Sequence, residues 1–529
     1  MPLPGRDVPF RHRMKIRRYV YVPMRDGVRI ACDLYLPVAE GAYPCLLVQT
    51  PYNKNGFDVG AAESDVAAGY VLCVADIRGT GGSEGDMTYH NVLEGGHDGA
   101  DMVEWLAAQG FSTGAVGTYG GSALGFAQYV TAKGRPEHLK AMFIEVAPLH
   151  YYLDRWFPGG IAGMAATVDW QDGMTGNISP KKPVEDVSGK PGDVDLEGDV
   201  IRKKVSEARY RRRYDKSRDG TWTTLQDRFL ELRNAPEDGG VWDVYNHTAF
   251  VRECEIPTFY TGVWYDHFVR GSAESYALHK GPRKLLISPG QQGFHGEHAG
   301  ADMRGLRIRW FDHWLKGEDN GILDEPPVTV FVMGLEQWRA FDAWPPAEAR
   351  DVTFHLGPDN TLGKDVPASD FTDVIDHDPQ SPLACASIHD VRAYEEKALV
   401  YTSAELTGEL TIVGSPRVTL PLTCSATDGH IQVKLCDVFP DGRSRELTKG
   451  RLRLAHREGH DRVVPMPAGE VQTIEVALWP TANQFRAGHR IRLVLGASES
   501  PSAEVFPHAF DLHVVSTSGK PATLALPIV

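Results

Sequence analysis

Along the first third of the chain, short uninterrupted apolar runs alternate with longer stretches of mixed polarity. Residues 14–36 (MKIRRYVYVPMRDGVRIACDLYL) differ: polar and apolar positions alternate on both sides of Arg25-Asp26-Gly27, which predicts an antiparallel hairpin. Then come YPCLLVQT (43–50), YVLCVADI (70–77), GAVGTYG (114–120) and KAMFIEVAP (140–148), separated by helix-compatible segments at 59–69, 94–109 and 122–134. Strands buried on both faces and joined by helices predict a parallel α/β sheet. Over 148–250 the strand signal gives way to charge and aromatics, as in VIRKKVSEARYRRRYDK (200–216), which predicts a helical insertion. Apolar runs return at IPTFYTGVW (256–264) and RKLLISPG (283–290), followed by an amphipathic helix at LRIRWFDHWLK (306–316) and a Pro-rich junction, FDAWPPAEARD (341–351). Beyond it, short alternating runs such as HIQVKLCDVF (430–439) and RIRLVLGAS (490–498) predict an all-β sandwich or jelly roll. The expected organisation is therefore an α/β domain in two parts (1–147 and 251–346), a helical cap inserted between them (148–250) and a β-sandwich (347–529).

Length and charge narrow the field. A chain of 529 residues is long enough for two to four domains. With 55 Lys and Arg against 70 Asp and Glu, the formal charge of -15 disfavours a nucleic-acid partner. No apolar run approaches the ~18 residues that would cross a bilayer. The basic N-terminal stretch has no apolar core behind it, and the expectation is a cytoplasmic protein without a membrane partner. The seven cysteines are odd in number and scattered, which suggests buried thiols and neither a disulfide framework nor a metal site.

Chemistry enters at Gly120-Gly121-Ser122-Ala123-Leu124-Gly125, which follows an expected strand and opens an expected helix. A serine on such a turn lifts its hydroxyl off the sheet edge and places it beside free helix amides. Alone, the motif is a weak signal and reads more readily as a tight turn with a serine N-cap. A serine nucleophile needs a histidine to take its proton and a carboxylate to orient that histidine. In α/β-hydrolases both follow the serine in the order acid, then histidine, from loops after later strands. Asp266 ends the run TFYTGVWYD and His295 lies beyond RKLLISPG, so order and placement fit; His298 competes with His295 for the base.

Several further segments carry a resemblance. Thr50-Pro51-Tyr52-Asn53-Lys54, Asp76-Ile77-Arg78-Gly79-Thr80-Gly81-Gly82-Ser83-Glu84-Gly85, the Ser122 elbow, Trp264-Tyr265-Asp266 and Arg309-Trp310-Phe311-Asp312-His313-Trp314-Leu315-Lys316-Gly317 resemble the cocaine esterase and X-Pro dipeptidyl-peptidase-like serine hydrolases. Pro326-Pro327-Val328 and Gly488-His489-Arg490 extend the likeness over nearly the whole chain. The resemblance implies an α/β-hydrolase domain with a helical cap and a C-terminal jelly roll. It implies Ser122 as nucleophile, Asp266 as triad acid, His295 as base, and an oxyanion hole of the Tyr52 hydroxyl and the Ala123 amide. No cofactor or metal is called for; the partner is a small-molecule ester or amide, and a homo-oligomer is left open.

The match has departures. Ala123 stands where the family commonly has Tyr, Leu124 where the amino-ester hydrolases have an acid, and the loop around His295 is lengthened. Leu124 weakens the case for an ammonium-bearing substrate. Trp156, Phe157 and Trp170 line a substrate pocket or form the cap core; His97, Asp98 and Glu94 read as solvated helix residues rather than a metal site. The leading expectation is an esterase or amidase. An X-Pro dipeptidyl-peptidase and a β-lactam side-chain acylase are its enzyme rivals, and a carbohydrate-binding jelly roll the non-enzyme one.

Overall fold

The computed structural model describes residues 14–85, 87, 97–163, 193–195, 232, 235–290, 299–385, 387–467 and 469–529. Two sheets organise them. The first comprises β1 (Met14–Pro23), β2 (Arg29–Pro37), β3 (Tyr43–Thr50), β4 (Val71–Asp76), β5 (Ser112–Gly121), β6 (Leu139–Glu145), β7 (Asp193–Asp195), β8 (Thr258–Val263), β9 (Arg283–Ser288), β10 (Val328–Val332) and β11 (Gln337–Phe341). Their spatial order is β11-β10-β9-β8-β6-β5-β3-β4-β2-β1-β7. From β4 through β10 every neighbouring pair is parallel, while the β1–β2 hairpin pairs antiparallel onto β4.

Burial of both faces is visible residue by residue. In β3, Cys45 and Leu47 join one core and Leu46 and Val48 the other; β4 divides in the same way, Val71, Cys73 and Ala75 against Leu72 and Val74. That is why these strands read as unbroken apolar runs. Helices α1 (Val59–Ala67), α2 (His97–Ala107) and α3 (Ala123–Lys133) connect them. The amphipathic helix begins earlier than its apolar pattern, at Met303–Lys316, because the Asp302 side chain caps it through the Gly305 amide at 2.8 Å.

Its motif residues hold the fold together. Arg307 pairs with buried Asp65 at 2.7 Å, the Tyr70 hydroxyl donates to Asp312 at 2.8 Å, and Arg309 takes Glu325 at 2.6 Å. The second sheet has thirteen strands among the described residues, from Arg350–Gly357 to Thr523–Ile528, folded as a jelly roll around Leu420, Leu435, Leu493 and Leu526. It docks on the first through a Met333 amide to Ala482 carbonyl bond at 3.0 Å and a Gln484 amide to Met333 carbonyl bond at 2.7 Å. All seven cysteines are free thiols, six of them buried. Among the described residues no helix is long and apolar enough to cross a membrane.

Candidate active site

Between β4 and β5 lies β3, so the strand order turns back there, the place where open α/β sheets bind ligands at the carboxyl ends of their strands. Ser122 ends β5. Its backbone has φ 56° and ψ -119°, outside ordinary helix and strand values, and it is the N-cap residue of α3 without a side-chain capping bond. The hydroxyl is thus left for other work. Its amide donates to the Glu145 carbonyl at 3.0 Å, and a Cβ at Gly125 would lie 2.7 Å from the Ala147 Cβ, so only glycine lets the helix approach β6 this closely. Val146, next to these contacts, has φ 38°, a strained value for a β-branched residue. Ala123 is the first residue of α3, where backbone amides have no partner within the helix.

Tyr52 follows β3 on a loop fixed from below. Lys54 is fully buried and its Nζ reaches Asp33 at 2.6 Å and Asn55 Oδ1 at 3.1 Å, with the Tyr19 ring centroid 3.6 Å away. The Lys54 amide donates to Asp76 Oδ1 at 2.5 Å and the Gly82 amide to Asp76 Oδ2 at 2.7 Å. A Cβ on Gly81 would fall 2.2 Å from that carboxylate. The Gly-rich segment 76–85 is therefore a clamp on the Tyr52 loop. Tyr52 itself is 38% exposed at the sheet edge.

Asp266 sits three residues past β8, 1% exposed. Its Oδ1 accepts the Phe268 amide at 2.6 Å, and Oδ2 is buried with no partner among the described residues. Burial pushes the carboxyl up to about 7, against the opposing pull of the Phe268 amide and the Arg155 charge. A carboxylate so placed gains by meeting an imidazolium. The Tyr265 amide donates to the Gly290 carbonyl at 3.2 Å, so the chain enters segment 291–298 directly beside Asp266. His295 and His298 belong to that segment and lie outside the described residues, as do Trp170 and the basic run 202–213.

Trp156 and Phe157 are 3% and 4% exposed and pack with Tyr152, Trp242 and Tyr245 in one aromatic cluster, the core alternative for these two residues. Asp98 departs from the solvated reading: it pairs with Arg78 at 2.5 Å. The sequence reading missed the Lys54–Asp33 pair and the bond between Arg155 Nη1 and His267 Nε2 at 3.0 Å; a lysine inside an apolar strand-end context was the available signal for the first.

The model of the X-Pro dipeptidyl-peptidase (S15) family matches residues 26–293, and that of the X-Pro dipeptidyl-peptidase C-terminal non-catalytic domain matches residues 320–522. Cocaine esterase of Rhodococcus sp. (strain MB1 Bresler) is 28% identical over 546 residues, 91% of this chain and 90% of the relative. An aminopeptidase structure from the marine sediment archaeon Thaumarchaeota archaeon superposes with a TM-score of 0.79 at 21% identity, covering 100% of this chain and 98% of that one. An α-amino acid ester hydrolase structure gives the same score, identity and coverage. At that identity the two structures speak for the fold.

Proposed function

Since the chain belongs to the X-Pro dipeptidyl-peptidase (S15) family and is a serine hydrolase, we propose that it cleaves carboxylic esters by acyl transfer, with Ser122, His295 and Asp266 as its triad. The observation that carries this reading is Ser122 itself: strained backbone, uncapping hydroxyl, and the free amide of Ala123 one residue on. His295 takes the hydroxyl proton as Ser122 Oγ attacks the ester carbonyl. The Tyr52 hydroxyl and the Ala123 amide donate to the oxyanion of the tetrahedral intermediate. Return of the proton to the leaving alkoxide leaves an acyl-serine, which water then hydrolyses by the same steps in reverse. Asp266 orients the imidazole and balances its charge.

Esters are favoured over peptides because Leu124 stands two residues after Ser122, where the amino-ester hydrolases have an acid. We place the protein in the cytoplasm, a reading supported by its seven free thiols. A hydrolysis screen over p-nitrophenyl esters, aryl amides and X-Pro dipeptide anilides, with Ser122→Ala as control, tests the assignment. Release from X-Pro anilides alone would overturn the ester preference in favour of the dipeptidyl-peptidase.

A further inference from the structure

Between the Ser122 elbow and the Asp266 loop three segments meet: the stretch 145–150 that follows β6, the π-helical turn Tyr152–Trp156 that opens the cap, and the helix Val269–Leu278 that follows Asp266. The first touches both sides. Toward the elbow, the Glu145 carbonyl accepts the Ser122 amide at 3.0 Å, and the Ala147 Cβ lies 2.7 Å from where a Cβ on Gly125 would fall. Toward the acid, the Val146 amide donates to the Thr261 carbonyl of β8 at 2.9 Å. Gly271 packs so closely on the same stretch that a Cβ there would lie 2.8 Å from the Leu149 nitrogen and 3.0 Å from the Ala147 carbonyl oxygen.

Asp154 is the joint of the three, and it is 1% exposed. Its Oδ2 accepts the Leu149 amide at 2.8 Å and the His150 amide at 2.9 Å, while its Oδ1 meets Arg270 Nη2 at 2.6 Å. A Cβ on Gly271 would fall 2.7 Å from Oδ2. The next residue reaches the same helix entry: Arg155 Nη1 donates to His267 Nε2 at 3.0 Å, and its guanidinium lies 6.0 Å from the Phe268 ring centroid. Asp154 and Arg155 thus hold His267, Phe268, Arg270 and Gly271, and the Phe268 amide in turn holds Asp266 Oδ1 at 2.6 Å. Single π-helical turns recur at functional sites, and a carboxylate bonded to amides and paired with a guanidinium makes a stiff joint. A group buried this deeply does not touch substrate; it acts on the reaction through what it holds.

We propose that Asp154 is a positioning residue of the triad: it locks the segment behind the Ser122 elbow to the helix behind Asp266, and so sets the acid against the histidine that serves Ser122. This rests on the triad reading above and adds a residue that no step of the reaction touches. Asp154→Asn keeps an oxygen for the two amides and gives up the charge that meets Arg270, whereas Asp154→Ala gives up both. Arg270→Met cuts the charged link from the helix side.

With p-nitrophenyl butyrate and full-length protein whose fold is checked by circular dichroism, kcat should fall about tenfold in Asp154→Asn and about a hundredfold in Asp154→Ala, with KM within about twofold, as displacements of order 1 Å do. Arg270→Met should resemble Asp154→Asn, and the two combined should be scarcely worse than either, since both cut one link. The decisive background is His295→Ala, in which Asp266 has no imidazole to orient. There Asp154→Ala should leave the residual rate within about twofold. An undiminished loss in that background, or a wild-type kcat in Asp154→Ala, overturns the positioning role and leaves Asp154 to the fold alone. Should Asp154→Ala fail to fold, Asp154→Asn and Arg270→Met carry the same comparison in both backgrounds. A wild type that cleaves X-Pro anilides and no ester overturns the ester preference alone, and the variants are then read on the anilide; a wild type inactive on both brings down the triad and the positioning role together.

Discussion

The Tyr52 loop and the Asp266 loop stand at the same edge of one sheet and treat their buried polar atoms differently. Under Tyr52, both oxygens of Asp76 accept backbone amides, and the Lys54 ammonium meets Asp33, Asn55 and the Tyr19 ring, with Asp33 Oδ2 the one orphan of this group among the described residues. Around Asp266, among the described residues, one carboxylate oxygen is bonded and the other is not. A buried polar atom without a partner costs roughly 1–3 kcal/mol. Satisfied atoms fix a group that must not move; unsatisfied ones persist where a catalytic histidine or a substrate supplies the missing partner. The oxyanion side is thus built for rigidity and the acid side for partners that arrive.

The strongest way to break that contrast is to remove the triad. Ser122→Ala and His295→Ala should each lower kcat about 10⁴-fold or more, with the double variant scarcely worse, because triad members act as a unit. His298→Ala should keep substantial activity. Circular dichroism of each variant checks that the fold persists. A dead His298→Ala beside an active His295→Ala would move the base three residues along the loop. Next in size, Tyr52→Phe should cost about 10²- to 10³-fold in kcat with little change in KM, since the oxyanion exists only along the reaction path. An unchanged kcat, with chemistry rate-limiting, would take Tyr52 out of the oxyanion hole.

Much of this contrast could be read from the chain before any coordinates, and some could not. The elbow was legible because glycines flank a serine at a strand-to-helix switch, and Asp266 because it closes an apolar run downstream. The sheet was legible because burial of both faces removes polar alternation, as in Cys45–Val48. The role of Lys54 was hidden, because nothing local says that its ammonium will meet Asp33 from a strand 21 residues earlier.

Lys54 offers a sharper test of the rigid side. Lys54→Met leaves Asp33 buried without its cation, and breaking such a pair typically costs about 3–5 kcal/mol of stability. The same change loosens the Tyr52 loop, and kcat should fall about tenfold to a hundredfold, as displacements of order 1 Å do. The double substitution Asp33→Leu with Lys54→Met should recover stability without recovering kcat. Recovery of both would mean that the pair serves the fold and not the position of Tyr52.

The smallest effect on stability concerns the acid side, and its sign is opposite. Asp266→Asn should abolish turnover, yet the Asn carbonyl can still accept the Phe268 amide that Asp266 Oδ1 holds at 2.6 Å. Burial raises the Asp266 carboxyl from an ordinary 3.8 to about 7. The folded state therefore binds this proton more tightly than the unfolded chain. Its stabilising contribution is complete below about pH 4 and is lost as pH rises through about 7, where the buried group becomes charged. Asparagine does not ionise and escapes that loss. The Tm of Asp266→Asn should match the wild type near pH 4.5 and exceed it at pH 8, by about 2–4 °C for each kcal/mol relieved. A variant less stable than the wild type at pH 8 would show that the Asp266 charge is already fully compensated in the resting enzyme, and the acid side would then be as closed as the Tyr52 side.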